Sequence, residues 1–233
     1  MKVYAISDLH LCAEQGKTMD MFGQQWIGHF EKIKKDWYEK VKPDDVVLIC
    51  GDISWGMKLS EAIGDLNSIC ELPGTKIMIK GNHDFWHGSL SKTRGILFNN
   101  TFFVQNDSVT VGNFVFAGSR GWKQRTDSDF MEEDRKIYHH EMARLSLSLE
   151  SVDKSKRFIG MMHYPPFDAG RKRSDFTDAF ITAGAETVVY GHVHGRALNS
   201  PDYEDFDIDN TTFIETSCDY LGFKLRLIAE DTL

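Results

Sequence analysis

The sequence predicts an α/β fold on three observations. Apolar runs of strand length alternate with longer segments whose apolar residues recur every three or four positions, the pattern of strands and amphipathic helices set in turn along a chain. A Gly112-Asn113 pair between two strand-length runs signals a hairpin, so part of the sheet structure is antiparallel. The chain has 233 residues, and at that length folding removes roughly 70% of the unfolded surface from water, enough for a full apolar core in one domain spanning residues 1–233. No internal repeat, low-complexity segment or Pro- or Ser-rich linker divides it.

Taken in order, Val3 to Ile6 is the first strand and ends at Ser7-Asp8. Trp26, Phe30, Ile33, Trp37 and Val41 follow at helical spacing, giving an amphipathic helix that stops before Pro43. Val46 to Cys50 is a buried strand, and Leu59, Ala62, Ile63, Leu66 and Ile69 form one face of a helix closed by Pro73-Gly74. Lys76 to Ile79 is a strand ending at Gly81, and Phe102 to Gln105, Ser108 to Val111 and Phe114 to Ala117 are strands of the hairpin region. A charged helix is expected from about Asp127 to Ser151, with Phe130, Ile137, Met142, Leu145 and Leu149 facing inward. Arg157 to Met162 is a strand, Asp175 to Ala183 a short helix and Thr187 to Tyr190 another strand. The tail from Thr212 to Ile228 returns to strands broken around Asp219-Tyr220.

Composition narrows the function. With 41% hydrophobic and 27% charged residues the chain is an ordinary globular protein, and 35 acidic against 27 basic residues give a net charge of -8. That balance argues against a broad nucleic-acid footprint, which carries a clustered basic excess. Cys12, Cys50, Cys70 and Cys218 form no C-x-x-C pair, which reads as reduced thiols in a cytoplasmic protein. The apolar stretch after Met1-Lys2 is too short for a signal sequence, and no segment reaches the roughly 18 apolar residues of a membrane span.

Chemistry-bearing residues sit at the ends of the strands. Asp8-Leu9-His10 follows the first, Gly51-Asp52 the second, Gly81-Asn82-His83-Asp84 the third, His163 a later one and Gly191-His192-Val193-His194 the last. Strand C-termini would bring these clusters to one edge of a sheet, where open α/β folds bind ligands. Gly51, Gly81 and Gly191 fit sharp exits from the strands that let a ligand approach the backbone. Four histidines, two aspartates and an asparagine offer nitrogen and oxygen ligands without a thiolate, which suits Mn, Fe, Zn or Co. Seven side chains are too many for one ion. If one aspartate bridges, they divide into two sets of four, the two-metal arrangement with ions roughly 3.5–4 Å apart used for displacement at phosphorus.

In this order, Asp-x-His, Gly-Asp, Gly-Asn-His-Asp, a lone His and Gly-His-x-His, the chain resembles the calcineurin-like metallophosphoesterases from Asp8 to His194. The His163-Tyr164-Pro165-Pro166 run matches the family's extension of the lone histidine. The resemblance implies a four-layer α/β/β/α sandwich with two mixed sheets. It also implies that Asp8, His10 and His194 hold one metal and Asn82, His163 and His192 the other, with Asp52 bridging. His83 would be the proton donor to the leaving oxygen, oriented by Asp84.

The implied reaction is hydrolysis of a phosphomonoester or phosphodiester by in-line attack of a metal-bridging hydroxide, without a covalent intermediate. Two dications, less Asp8, Asp52 and one hydroxide, leave a local charge of about +1, so an acidic chain can still hold a small anionic phosphoester. A Ser/Thr-type protein phosphatase is the alternative, followed by a nuclease and a non-catalytic scaffold on the same fold. The motifs leave the substrate, the native metal and the oligomeric state open. Substrate choice is expected to depend on the loops Ile53 to Leu59, Phe85 to Leu90 and Ser119 to Arg125. Arg120 reads as a loop arginine rather than a phosphate contact, and Arg171-Lys172-Arg173 as a solvated turn. Cys12 reads as packing and His87 as a residue of the mouth, while His29, His139 and His140 read as surface residues. The acidic stretch Asp202, Glu204, Asp205, Asp207 and Asp209 reads as a solvated loop without an EF-hand pattern.

Overall fold

A strand such as Val46-Val47-Leu48-Ile49 has no polar position to turn toward water, so both faces of its sheet must be covered. The computed structural model, which describes residues 1–12, 19–168, 170–195 and 205–231, covers them with a second sheet on one side and helices on the other. The first sheet runs Arg226–Glu230 (β11), Lys2–Ile6 (β1), Val46–Ile49 (β2), Thr75–Met78 (β3) and Thr101–Phe103 (β4). Strands β1 to β4 are mutually parallel, and β11 lies antiparallel against β1. The second sheet runs Ser108–Val111 (β5), Phe114–Ser119 (β6), Arg157–Met162 (β7), Thr187–Tyr190 (β8), Thr211–Glu215 (β10) and Phe206–Ile208 (β9). Its four inner strands are parallel, with β5 and β9 antiparallel at the edges.

Side-chain alternation assigns each residue to a layer. Val3, Ala5, Val46, Leu48 and Ile77 of the first sheet meet Phe114, Phe116, Ile159, Met161 and Val189 of the second in the middle of the sandwich. The alternate residues Tyr4, Ile6, Val47 and Ile49 pack on Ile33 and Trp37 of His29–Lys40 (α1) and on Ala62, Leu66 and Ile69 of Leu59–Cys70 (α2). Across the molecule, Val115, Ala117, Phe158 and Val188 pack on Tyr138 and Leu145 of Glu132–Glu150 (α4) and on Phe176 and Phe180 of Asp175–Ala183 (α5). The result is the α/β/β/α sandwich with two mixed sheets that the resemblance implies.

Lys76 on β3 is a charged exception inside this core, 1% exposed. Its ammonium donates to the carbonyls of Cys70 at the end of α2 and of Leu72 and Gly74 in the turn after it at 3.1, 2.7 and 2.9 Å, and to that of Asn99 at 2.8 Å. One cation thus serves carbonyls that a helix end and its turn leave without donors.

Several elements differ from the sequence expectation. Helix α1 begins at His29 rather than Trp26, because Gly28 adopts φ 62° at its N-cap and Trp26 closes a separate 3-10 turn. The expected Asp127 start of α4 moves to Glu132, where the Asp134 carboxylate accepts from Met131 N at 2.8 Å and fixes the first turn. Its inward stripe is Asp134, Tyr138, Glu141, Leu145 and Ser148; Phe130, Met142 and Leu149 only flank the core. A further helix, Leu90–Ile96 (α3), is too short and polar for a periodicity signal. The acidic stretch is partly strand β9, with Asp209 paired to Arg173 at 2.7 Å and Asp205 to Arg226. Asp202 and Glu204 lie outside the described residues.

Candidate metal centre

The strand-end residues come together, but along the shared C-terminal rim of two sheets rather than the edge of one. Asp8, Asp52 and Asn82 follow β1, β2 and β3 of the first sheet, and His163 and His192 follow β7 and β8 of the second. Three of these residues, Asp8 (φ 58°), Asp52 (φ 50°) and His192 (φ 74°), and His10 two residues past Asp8 (φ 45°) lie in the left-handed region. Such backbone costs of order 1–3 kcal/mol per residue and persists where surrounding bonds fix it. Here Asp8 N donates to Gly51 O at 3.0 Å and His10 N to Asp52 O at 2.9 Å. Across the rim, His192 N donates to Asp8 Oδ2 at 3.0 Å.

Gly81 and Gly191 make room for the protein's own side chains. A Cβ at Gly81 would stand 2.1 Å from Asp52 Oδ1, and one at Gly191 would stand 2.4 Å from Asp8 Oδ2. Each glycine leaves the space that a site carboxylate fills.

Two groups of ligand atoms result, each mutually within 4.8 Å: Asp8, His10, Asp52 and His194, and Asp52, His163 and His192. Asp52 belongs to both. Asn82 Oδ1 joins the second group, 2.6 Å from His163 Nε2 and 2.9 Å from His192 Nδ1. In the first group, His10 Nε2 and His194 Nε2 stand 3.0 Å apart, a separation that suits two imidazoles turned toward a common cation. His163 Nδ1 stands 2.8 Å from Cys50 O, which fixes that nitrogen as the N–H and leaves Nε2 as a lone pair facing Asp52 Oδ2 at 3.5 Å.

The electrostatics point the same way. Burial holds His10, His163 and His192 down to about 3, 4 and 3, so they are neutral imidazoles, the ligating form. Burial opposes a charge on His194 as well, but hydrogen bonding to Asp219 and Asp8 outweighs it and lifts the ring to about 10. Asp8 and Asp52 are 0% and 1% exposed. Burial and the neighbouring charges of Asp8 and Asp84 push Asp52 up; for Asp8, burial is overcome by the His194 hydrogen bond and the nearby imidazoles, which hold it down. Two buried carboxylates among three neutral imidazoles, with His194 able to ligate once it gives up its proton to an arriving cation, form a donor set that fits transition-metal dications.

His83 and Asp84 do not form the expected orienting pair. The Asp84 carboxylate accepts from Ile53 N (2.8 Å), Ser54 N (3.2 Å), Gly81 N (2.7 Å) and Trp86 Nε1 (2.8 Å), and no hydrogen bond from the His83 ring reaches it among the described residues. It ties the turn after β2 to the turn after β3. The His83 ring instead leans on Trp55 with centroids 4.7 Å apart, faces His10 at 5.7 Å and meets the exposed Phe85 at 6.2 Å. Trp55 also stacks on His10 at 4.8 Å, and Trp26 covers His194 at 6.0 Å, giving the first group an aromatic wall.

Other residues take structural places. Arg120 is mostly buried and ion-paired with Glu141 at 2.9 Å, not a solvated loop residue. His87 is buried and stacks on Phe103 at 4.5 Å, away from any mouth. The His29 ring lies behind the site with Nε2 2.8 Å from Leu9 O, whereas His139 and His140 are exposed as expected. Arg173 is paired with Asp178 at 2.6 Å, and Arg171 covers the Phe206 ring at 4.7 Å. Asp219 is the residue the sequence reading missed: its Oδ1 is 3.1 Å from His194 Nδ1 and its Oδ2 accepts from Gly195 N at 2.9 Å. Its only signal was the break in the strand pattern at Asp219-Tyr220.

The sequence pattern of the calcineurin-like phosphoesterases matches residues 1–196. Among solved structures, a phosphopantetheinyl hydrolase from Mycobacterium tuberculosis is 14% identical, with a TM-score of 0.60 over 99% of this chain and 96% of that one. A protein from Thermus thermophilus is 11% identical, with a TM-score of 0.57 over 97% and 96% of the two chains. A protein of unknown function from Aquifex aeolicus is 15% identical, with a TM-score of 0.53 over 97% and 95%. At these identities the likeness is one of fold. None of the curated proteins compared matches the chain.

Proposed function

Since the chain belongs to the calcineurin-like phosphoesterase family, we propose that it is a dinuclear metal-dependent hydrolase of small phosphomonoesters or phosphodiesters. Asp8, His10 and His194 would hold one ion and Asn82, His163 and His192 the other, with Asp52 placed to serve both. The observation that carries this reading is that Asp52, alone among the described residues, belongs to both groups of clustered ligand atoms. Mn, Fe, Zn and Co all suit these nitrogen and oxygen donors. When bound, such a pair supplies Lewis acidity toward a phosphoryl group and makes water a nucleophile at neutral pH.

The chain's own residues supply the rest. His83 donates the proton to the leaving oxygen, and Trp55 and Phe85 set the plane of its ring. Asp84 acts on the backbone, holding the Asp52 and Asn82 turns in register through the three backbone N–H bonds it accepts, with the Trp86 indole as a fourth donor. Asp219 fixes His194 through Nδ1 and so directs Nε2 at the ion, the usual way an outer carboxylate orients a ligating imidazole. All four cysteines are free, three of them buried, which supports a reducing compartment such as the cytoplasm. Among the described residues no helix is long and apolar enough to cross a membrane.

The experiment is reconstitution with Mn, Fe, Co or Zn, metal counting, and turnover of an aryl phosphomonoester, an aryl phosphodiester, cyclic nucleotides and a phosphopeptide. Two ions per chain and hydrolysis of the small esters are expected, with Asp52→Asn losing both ions together. A count of one or none sinks the dinuclear assignment, and two ions without turnover of any ester sinks the enzymatic one.

A further inference from the structure

The ring of His83 touches two aromatic side chains that differ in what else holds them. Trp55 lies 4.7 Å from it between centroids, is partly buried, stacks on His10 and has its indole N–H 3.2 Å from Met19 Sδ. Phe85 lies 6.2 Å from it, edge-on at 79°, and is 56% exposed. Among the described residues His83 is the one ring that Phe85 meets.

A lone exposed aromatic is ordinary on a protein surface. Two features set Phe85 apart. Its backbone is fixed, because Asp84 and Trp86 on either side are buried and Phe85 N donates to His83 O at 2.8 Å. The turn that places His83 therefore also places Phe85, and the side chain cannot fold inward without drawing a buried neighbour out. Its surroundings are also poor in charge. The two loops that reach His83 through Trp55 and Phe85 are Ile53 to Leu59 and Phe85 to Leu90, and Lys58 is the single Lys, Arg, Asp or Glu in them. His87 in the second loop is buried and held down to about 4, hence neutral.

A group that protonates the leaving oxygen of a phosphoester must stand within hydrogen-bond reach of that oxygen. Whatever the oxygen carries then falls beside the neighbours of the proton donor, here Trp55 and Phe85. A charged leaving group, such as an acidic peptide or a polyphosphate, would meet one cation on these loops. A planar ring would meet two aromatic side chains, in the offset or edge-on contacts that aromatic pairs favour. We propose that the substrate carries a planar aromatic ring on its leaving alcohol and that Phe85 is the specificity-determining residue that receives this ring. The proposal rests on the phosphoesterase reading above, with His83 as proton donor, and adds no chemical step to it.

The test uses the full-length, metal-loaded protein and phosphonates, whose P–C bond resists hydrolysis, so that binding is read without turnover. Phenylethylphosphonate should bind roughly 2–12-fold more tightly than cyclohexylethylphosphonate in calorimetric titration, the range of an aromatic pair beyond its buried area. Ethylphosphonate should bind more weakly than both. Phe85→Ala and Phe85→Leu should bring the phenyl-to-cyclohexyl ratio close to one, and Phe85→Trp should restore it. A merely structural role for Phe85 would move all three affinities together and leave the ratio alone. Benzyl phosphate should exceed cyclohexylmethyl phosphate in kcat/KM in the same order, and adenosine monophosphate beside them tells a nucleobase from a simple aryl ring by which is turned over faster. Equal affinity for the phenyl and cyclohexyl ligands, or a ratio unchanged in Phe85→Ala, overturns this inference and leaves the phosphoesterase reading standing. Failure of all three phosphonates to bind overturns that reading and this inference with it.

Discussion

Replacing Gly81 by alanine adds one carbon at the most crowded point of the metal centre. The new Cβ would stand 2.1 Å from Asp52 Oδ1 and 2.2 Å from Asp52 N, against a normal closest approach of about 3.2 Å, so something must move by about 1 Å. Neither atom is free to do so. Asp52 Oδ1 accepts from His83 N at 2.8 Å, and the Asp52 backbone, at φ 50°, is held by His10 N through its carbonyl. Gly81 itself does not have a positive φ, so the whole effect is steric. Overpacking of this kind costs about 1–3 kcal/mol, a fall in melting temperature of roughly 2–12 °C for a chain of this size. The shift falls on the carboxylate proposed to serve both ions, so metal affinity should drop by roughly 10–100-fold, as for other losses of ligand orientation. Gly88→Ala is the control, since its Cβ would meet nothing within 4 Å. Metal titration and thermal melting of both variants decide the matter. If Gly81→Ala binds metal as the parent does and melts with Gly88→Ala, the reasoning about Asp52 fails.

Other perturbations separate the remaining roles. His83→Asn should retain its metals yet lose roughly 10²–10⁴-fold in kcat on an alkyl phosphoester, with a smaller loss on a nitrophenyl ester; equal losses would remove the proton-donor role. Asp84→Asn should instead lower stability by about 2–3 kcal/mol in urea unfolding, because an amide nitrogen cannot accept the N–H bonds that the carboxylate takes, and should leave leaving-group sensitivity unchanged. Asp219→Ala should weaken binding of one ion by roughly 10–100-fold in calorimetric titration while the other stays near its parental affinity; parallel loss of both would contradict its placement behind His194. Lys76→Met should cost about 3 kcal/mol in urea unfolding by leaving four carbonyls without their donor, and a change below about 1 kcal/mol would show that water replaces the ammonium.

The strands and the clustering of the strand-end residues were legible because each signal was local. A fully buried strand such as Val46–Ile49 announces itself by an unbroken apolar run, and Gly-Asn-His-Asp immediately after a strand fixes where its side chains emerge. The pairing of the strands into two sheets was legible only through the family resemblance, since no local pattern distinguishes β3 from β7. What stayed hidden was set by contacts between distant segments. Asp84 next to His83 suggested a pair, yet its oxygens are claimed by Ile53 and Ser54 thirty residues earlier in the chain. Asp219 stands 25 residues beyond His194, in a turn that no motif marks. Arg120 read as a loop residue because its partner, Glu141, arrives from a helix whose inward face is partly charged rather than apolar.

The rim shared by the two sheets also dictates an order of events during synthesis. Asp8, His10, Asp52 and Asn82 emerge early, but both ligand groups stay incomplete until His163, His192 and His194 have followed, and His194 awaits Asp219. The outermost pairing of the first sheet, Lys2 against Glu230, comes later still and joins the two ends of the chain. Such non-local pairing slows folding, because the long loops must close before their contacts form. A nascent chain therefore carries three of the four residues of the first group and two of the four of the second on an unfinished sheet, so capture of metal by the proposed centre would report completed folding rather than trigger it.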